Sequence, residues 1–437
     1  MAGQIRVLLA GPVGACLSNY DFGIYGTLSA LVFNKIFFPS LNPVAGTLAS
    51  FGTFAVGFLA KPAGALLFGR IGDRFGRRTV VVSALVLMGT ATLLIAALPT
   101  YAVAGVAAPV LLTVLRLVQG LAVGGEWGGA AAFAVEHAPG GRRGLWGGAV
   151  GAGGPVGSIL AALTVLTLSS WLSPDQFLTW GWRIPFLVSV VFIVVGLGIR
   201  VGAAESPVFR SEVQDRTRPR LREVFRSNGK EMALVFCLAA VPTTGVYLMN
   251  TYVLSYGVAH AGIARSTMLG WTTMAQIIAL ALAIGLLTVA DRIGPVRLLI
   301  GSVVVMIAAG WAVFAALDSG DPALILTIAT IGQLAVNGMV VASVPIYVLL
   351  FPPKARVTGA GFSFKVSDAL LGGTAPLVAG LLLSASHGGS WAVSAYVTVL
   401  GALSLAACFA GRAVLRRAAS GATTSHVVES VLDGRGA

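Results

Sequence analysis

Residues 69–79 read Gly69-Arg70-Ile71-Gly72-Asp73-Arg74-Phe75-Gly76-Arg77-Arg78-Thr79. Four arginines surround one acid, and an apolar stretch long enough to cross a bilayer lies on either side. A basic connection this short, between two such stretches, belongs on the cytoplasmic face of a multi-helix membrane protein. Its reading orients everything around it.

A helix needs about 20 apolar residues to cross roughly 30 Å of hydrocarbon. That window picks out 8–34, 45–69, 79–98, 104–134, 145–170 and 184–203, then 231–257, 267–290, 297–317, 322–350, 357–385 and 390–411. The expectation is an all-α membrane protein with twelve transmembrane helices. Strands are excluded, because open sheet edges cannot sit in lipid and barrel strands alternate in polarity. With the N-terminus inside, the cytoplasmic connections hold Arg70, Arg74, Arg77, Arg78, Arg142, Arg143, the seven cations of 205–230, Arg292, Lys354, Arg356, Arg412, Arg416 and Arg417. The opposite side holds Lys35, Arg183 and Arg265. This bias places both termini in the cytoplasm.

Composition agrees. Of 437 residues, 57% are hydrophobic and 10% charged, with mean hydropathy +0.89. A soluble chain carries about 25% charged residues. The formal charge of +13 first suggests a nucleic-acid binder. The charges lie between apolar segments rather than along one polar face, so no nucleic-acid partner is expected. Cys16, Cys237 and Cys408 all fall in apolar stretches and give no disulfide or metal spacing. The N-terminal apolar segment reads as the first membrane helix, not as a cleaved leader.

The 205–230 stretch is the longest polar segment within the chain. It divides a six-helix half over 1–204 from a second over 231–411, with a tail at 412–437. Gly285-Leu-Leu-Thr-Val-Ala-Asp291-Arg292-Ile-Gly294-Pro-Val-Arg297 partly echoes the 69–79 loop, which supports two related halves.

Several strings together resemble the metabolite:proton symporters of the major facilitator superfamily. They are Tyr20-Asp21-Phe22-Gly-Ile-Tyr25-Gly26, the 69–79 loop, Arg116-Leu-Val-Gln119-Gly120-Leu-Ala-Val-Gly124-Gly125-Glu126-Trp-Gly-Gly-Ala130, Trp180-Gly181-Trp182-Arg183-Ile184-Pro185-Phe186, Glu205-Ser206-Pro207-Val-Phe209, and Phe351-Pro352 with Arg356 and Gly359. The resemblance spans residues 11 to about 410. It implies the major facilitator fold in a plasma membrane, with a substrate site between the two halves and alternating access by rocking. Three positions depart from it. Ser18 stands where relatives usually carry Glu, Lys365 stands where they often carry a neutral polar residue, and Gly153-Gly154-Pro155-Val-Gly157 is closer to the Gly-Pro element of antiporters.

Ionisable groups deep in apolar helices are costly and mark function. Asp21 lies about thirteen residues into the first stretch, roughly 20 Å along it at 1.5 Å per residue. It is the first candidate for proton coupling, with Glu126 and Asp368. Arg116 keeps its charge and matches carboxylates bidentately. It serves as an anchor for an anionic substrate, or as the permanent ion partner of Asp21 or Glu126. Lys365 and Asp368 are three apart, on one helical face. They read as a pair that protonation of Asp368 opens, freeing Lys365 for a substrate carboxylate, or as a self-neutralising pair. Tyr25, Tyr247, Asn250, Gln276 and Asn337 are polar groups in apolar helices, as a small-molecule site requires. Tyr252 and Tyr256 read as interface anchors. Lys61, before Pro62, reads as lying towards the cytoplasmic end with its amine reaching the interface.

The inner face has its own cluster. Gly69, Asp73, Arg74, Gly76, Arg77, Arg78 and Glu136, with Asp291 and Arg292 in the second half, are expected to form a cytoplasmic gate. Its core is a charge latch of Asp73, Arg77 and Glu136, a role the resemblance supports. No catalytic residue, metal or cofactor is implied: there is no HExxH, Walker loop, GxSxG or paired-cysteine motif. The expected function is proton-coupled uptake of a small organic acid or zwitterion by a monomer in the bilayer. Proton-coupled export is the alternative, and a non-transporting sensor is less favoured because the tail is too short for an output domain.

Overall fold

The computed structural model describes residues 2–75, 77–136, 143–201, 226–351 and 356–419. No strand occurs among them. Ten helical stretches in the described residues are long and apolar enough to cross a membrane: Pro43–Phe68, Ala107–Gly124, Gly153–Trp171, Gly181–Gly198, Gly229–Ala259, Arg265–Ala283, Pro295–Ser319, Pro322–Tyr347, Gly359–Ala385 and Trp391–Val414. The remaining two apolar stretches are helical as well, within Ala2–Leu31 and over the shorter Val82–Ala97. Helices satisfy every interior backbone group without water, which is why this composition yields nothing else.

The chain divides into two compact units. One is Met1–Thr217 with Ala264–Leu269, and the other is Arg218–Ile263 with Gly270–Ala437. The first contains helices α1 (Ala2–Leu31), α2 (Pro43–Leu59), α3 (Lys61–Phe75), α4 (Arg77–Ala97), α5 (Ala107–Glu136), α6 (Arg143–Trp171) and α7 (Ile184–Val201). Asn42 starts α2 by accepting the Ala45 N–H at 2.8 Å, with Pro43 in the first turn. The helix breaks at Ala60, where the next residue but one, Pro62, has no N–H to donate. Helix α1 packs on α6, α7 and α5, while α5 also packs on α2, α3 and α4. The α2–α5 crossing is close because Gly57 and Gly120 meet backbone to side chain and backbone to backbone.

The second unit contains α8 (Gly229–Leu238), α9 (Ala240–Tyr247), α10 (Val253–Ala259), all of α11 (Arg265–Ile293) from Gly270 onwards, α12 (Pro295–Ser319), α13 (Pro322–Leu349), α14 (Arg356–Ser367), α15 (Ala375–Ala385) and α16 (Trp391–Ala419). Two of its membrane stretches are not uniform. A π-helical turn, Leu248–Tyr252, joins α9 to α10, and another, Asp368–Gly372, follows α14. Such insertions widen the backbone and gather at functional positions.

The 69–79 segment is mostly helical. Helix α3 runs to Phe75 and α4 begins at Arg77, so the arginine-rich segment is helical on both sides of Gly76. Helical spacing holds there because no proline or paired glycine interrupts it.

Candidate functional site

In the first unit four helices converge on one carboxylate. Asp21, on α1, is fully buried, as are Thr92, Arg116 and Gln119, and Ser189 is nearly so. Thr92 Oγ1 on α4 and Ser189 Oγ on α7 each donate to Asp21 Oδ1 at 3.0 Å. Gln119 Nε2 on α5 donates to Asp21 Oδ2 at 2.8 Å and to Thr92 Oγ1 at 2.8 Å. One turn earlier, Arg116 Nη1 donates to Gln119 Oε1 at 3.0 Å. Hydrogen bonds to a charged group contribute about 1.5–3 kcal/mol each. Three neutral donors thus offset the burial of the carboxylate while leaving it able to take up a proton.

Arg116 is held by rings as well. Its guanidinium carbon lies 4.0 Å from the centroids of Phe22 and Tyr25 and 5.5 Å from that of Phe54. Tyr25 is fully buried, and its hydroxyl donates to Thr53 Oγ1 at 2.7 Å. This tyrosine therefore acts as a ring wall of the Arg116 site. Lys61 overturns its sequence reading. It is 4% exposed, with Nζ 3.5 Å from the Phe58 centroid and 4.2 Å from the Phe22 centroid. Phe58 is three residues away on the same membrane stretch, so an aromatic box takes the amine that sequence position assigned to the interface.

The second unit brings three other candidates together. Lys365 Nζ lies 3.9 Å from Asp368 Oδ2. The Tyr247 hydroxyl donates to Asp368 Oδ1 at 3.2 Å. Asp368 opens the π turn, and Thr244 Oγ1 donates to the Leu371 carbonyl in it at 3.3 Å. Asn250 sits in the other π turn and accepts from Gln333 Nε2 on α13 at 2.6 Å. Asn337 follows Gln333 by four residues and shares its face of α13. Gln276 is buried on α11.

Tyr252 and Tyr256 are not interface anchors. Both are 3% exposed, and they donate to the Ala379 carbonyl at 3.2 Å and to Asp318 Oδ1 at 2.8 Å. Packing between helices buries their rings more fully than a headgroup layer could. The side chains of Gly69, Asp73, Arg74, Gly76, Arg77, Arg78, Glu126, Glu136 and Asp291 lie outside the described residues, and Arg292 is exposed.

Sequence reading missed Thr92, Gln119, Ser189 and Gln333. Gln119 carried a signal, since it follows Arg116 by three residues and so shares its helical face. Gln333 stands alone in an apolar run, which is the mark used for Gln276.

The family described as Major Facilitator Superfamily matches residues 13–364. The inner membrane metabolite transport protein YhjE of Escherichia coli is 36% identical over 415 residues, covering 92% of each chain. The shikimate transporter of Escherichia coli is 33% identical over 398 residues, covering 90% of this chain and 91% of that one. The proline/betaine transporter of Salmonella typhimurium is 31% identical over 404 residues, covering 88% of this chain and 79% of that one. Among solved structures, a D-xylose-proton symporter shares the fold with a TM-score of 0.73 at 18% identity, over 93% of this chain and 97% of its own.

Proposed function

This chain belongs to the Major Facilitator Superfamily, in its metabolite:proton symporter branch, and on that premise we propose that it takes up a small organic acid or zwitterionic metabolite together with a proton. It is a multi-pass plasma-membrane transporter, not an enzyme. The observation that carries the reading is the buried Asp21 carboxylate, bonded by three neutral donors and joined to Arg116 through Gln119. Asp21 binds and releases the proton. Arg116 meets the substrate carboxylate against the rings of Phe22 and Tyr25. In the second unit, Lys365 and Asp368 form a further charge pair within reach of Tyr247, and Asn250, Gln276 and Asn337 supply neutral polar contacts. The names of the relatives, a shikimate transporter and a proline/betaine transporter, favour an organic acid or zwitterion.

Twelve crossings with both termini cytoplasmic complete the proposal, with halves at 1–204 and 231–411 working as a monomer. Asp73, Arg77 and Glu136 latch the inner face, assisted by Gly69, Arg74, Gly76, Arg78, Asp291 and Arg292. Glu126 is a second proton-carrying candidate on α5. Export by antiport is the competing direction. It is favoured by Gly154-Pro155, which lies within α6, with Gly154 facing the Asn19 amide at 3.3 Å from where its Cβ would be.

Proteoliposomes separate the two. With an inside-alkaline gradient, labelled shikimate and labelled glycine betaine are offered outside. Symport accumulates at least one of them, and Asp21→Asn abolishes accumulation while sparing exchange at equilibrium. Concentration of either probe against an inside-acid gradient instead establishes antiport.

A further inference from the structure

We propose that Gln119 is a positioning residue that passes the protonation state of Asp21 to Arg116 by exchanging the two ends of its side-chain amide. The inference rests on Asp21 being the proton-carrying acid. Donor and acceptor chemistry fixes the amide in the present state. An ionised carboxylate only accepts and a guanidinium only donates, so Nε2 must face Asp21 and Oε1 must face Arg116. That is the arrangement found, at 2.8 Å and 3.0 Å.

A proton on Asp21 reverses one side of this bridge. Oδ1 already accepts two hydroxyls, from Thr92 and Ser189, while Oδ2 accepts the Gln119 bond. With those two hydroxyl bonds kept, the relay places the proton on Oδ2, and its new O–H faces the Gln119 N–H. Two donors cannot share a hydrogen bond. Turning the amide gives Oε1 to Asp21 and sends Nε2 towards Arg116, where again two donors meet. The Arg116–Gln119 bond and the Asp21 O–H to Gln119 bond are alternatives, so proton uptake releases Arg116 from Gln119. The site is sealed, so no solvent replaces the lost partner.

The groups facing Asp21 are few. Gln119 and Arg116 come from α5, the hydroxyls of Thr92 and Ser189 from α4 and α7, and the phenol of Tyr20 from its own helix. Lys61 on α3 shares the Phe22 ring with Arg116. Among the described side chains of helix α6, Thr164 accepts from Tyr20 at 3.2 Å. Gln119 is the one member with a fixed donor end and a fixed acceptor end, so it alone converts a proton into a changed bond at Arg116.

The test is an infrared difference titration of the full chain in lipid nanodiscs, with no substrate added. In the wild type the carboxyl band lost in Asp21→Asn grows on acidification, and the guanidinium band lost in Arg116→Lys shifts with the same midpoint. In Gln119→Leu the carboxyl still titrates while the guanidinium band stays fixed. Gln119→Met, which keeps the length of the side chain without its amide, gives the same uncoupling and covers a failure of the leucine variant to fold. Thr92→Val keeps the amide, and both bands move together. An Arg116 band that follows the carboxyl in Gln119→Leu as in the wild type overturns the relay alone. If Asp21→Asn removes no titrating carboxyl band, the acid assignment falls, and the relay with it.

Discussion

Gly57 lies directly against the side chain of Arg116: a Cβ at that position would stand 2.6 Å from Nε and 2.9 Å from Cγ. The missing side chain is therefore what lets a fully buried arginine rest on Phe22 and Tyr25 while reaching Gln119. Gly57→Ala pushes the guanidinium out of this seat. If Arg116 binds the substrate carboxylate, the variant raises KM for an anionic substrate by about tenfold, equivalent to about 1.4 kcal/mol. Gly52→Ala, on the same helix with nothing within 4 Å, leaves KM unchanged. Uptake kinetics in proteoliposomes check the pair, and equal effects of the two substitutions count against the assignment.

Lys61 gives a stability prediction. Its amine sits on two rings in a desolvated box, where one such contact is worth about 2 kcal/mol. Lys61→Met keeps the length of the side chain and fills the same space without the charge. It is expected to lower the apparent melting temperature of the purified protein, whereas an amine that only reached the interface would be replaced at little cost. Thermal unfolding in detergent, followed by tryptophan fluorescence, decides between them.

What was legible in the sequence follows from free energy. A charge in lipid costs about 3 kcal/mol or more, so Asp21, Arg116, Lys365 and Asp368 announce themselves against an apolar background. Thr92 and Ser189 do not, because a hydroxyl in a membrane helix can return its bond to a carbonyl one turn back, as Thr113 does to Pro109 at 2.7 Å. Only the convergence of α1, α4, α5 and α7 distinguishes the hydroxyls that meet Asp21. The π turns at Leu248–Tyr252 and Asp368–Gly372 were equally silent. A single inserted residue shifts the register without altering composition. Position along the chain places Lys61 near the interface, but the Phe58 ring three residues before it and the Phe22 ring of α1 take its amine inside the protein.

The two basic segments predict unequal gating. Residues 69–79 carry Arg77 and Arg78 after the acid, while Pro295 and Val296 stand at the matching places after Asp291. If these segments form the inner gate, the first has the residues for a full latch and the second for a reduced one. Asp73→Asn is expected to lower the transport rate severalfold more than Asp291→Asn at equal protein levels, measured as initial uptake in cells with expression checked by immunoblot. Equal losses, or a larger loss from Asp291→Asn, remove the asymmetry.

Lys365 and Asp368 supply the last prediction. Their charged atoms are 3.9 Å apart, longer than a tight hydrogen bond, and Tyr247 holds the other carboxylate oxygen at 3.2 Å. If this buried pair belongs to the substrate site, Lys365 exchanges Asp368 for a substrate carboxylate. Lys365→Ala removes that partner but leaves Asp368 with Tyr247. The expected result is a rise in KM for a carboxylate substrate of about tenfold, near 1.4 kcal/mol, with a smaller change for a zwitterion that brings its own cation. Tyr247→Phe loosens Asp368 in turn and raises KM in Lys365→Ala further than in the wild type, since the two side chains support the same carboxylate. Unchanged affinity for an anionic substrate in Lys365→Ala assigns the pair to helix insertion alone, where two opposite charges one turn apart neutralise each other and touch no substrate.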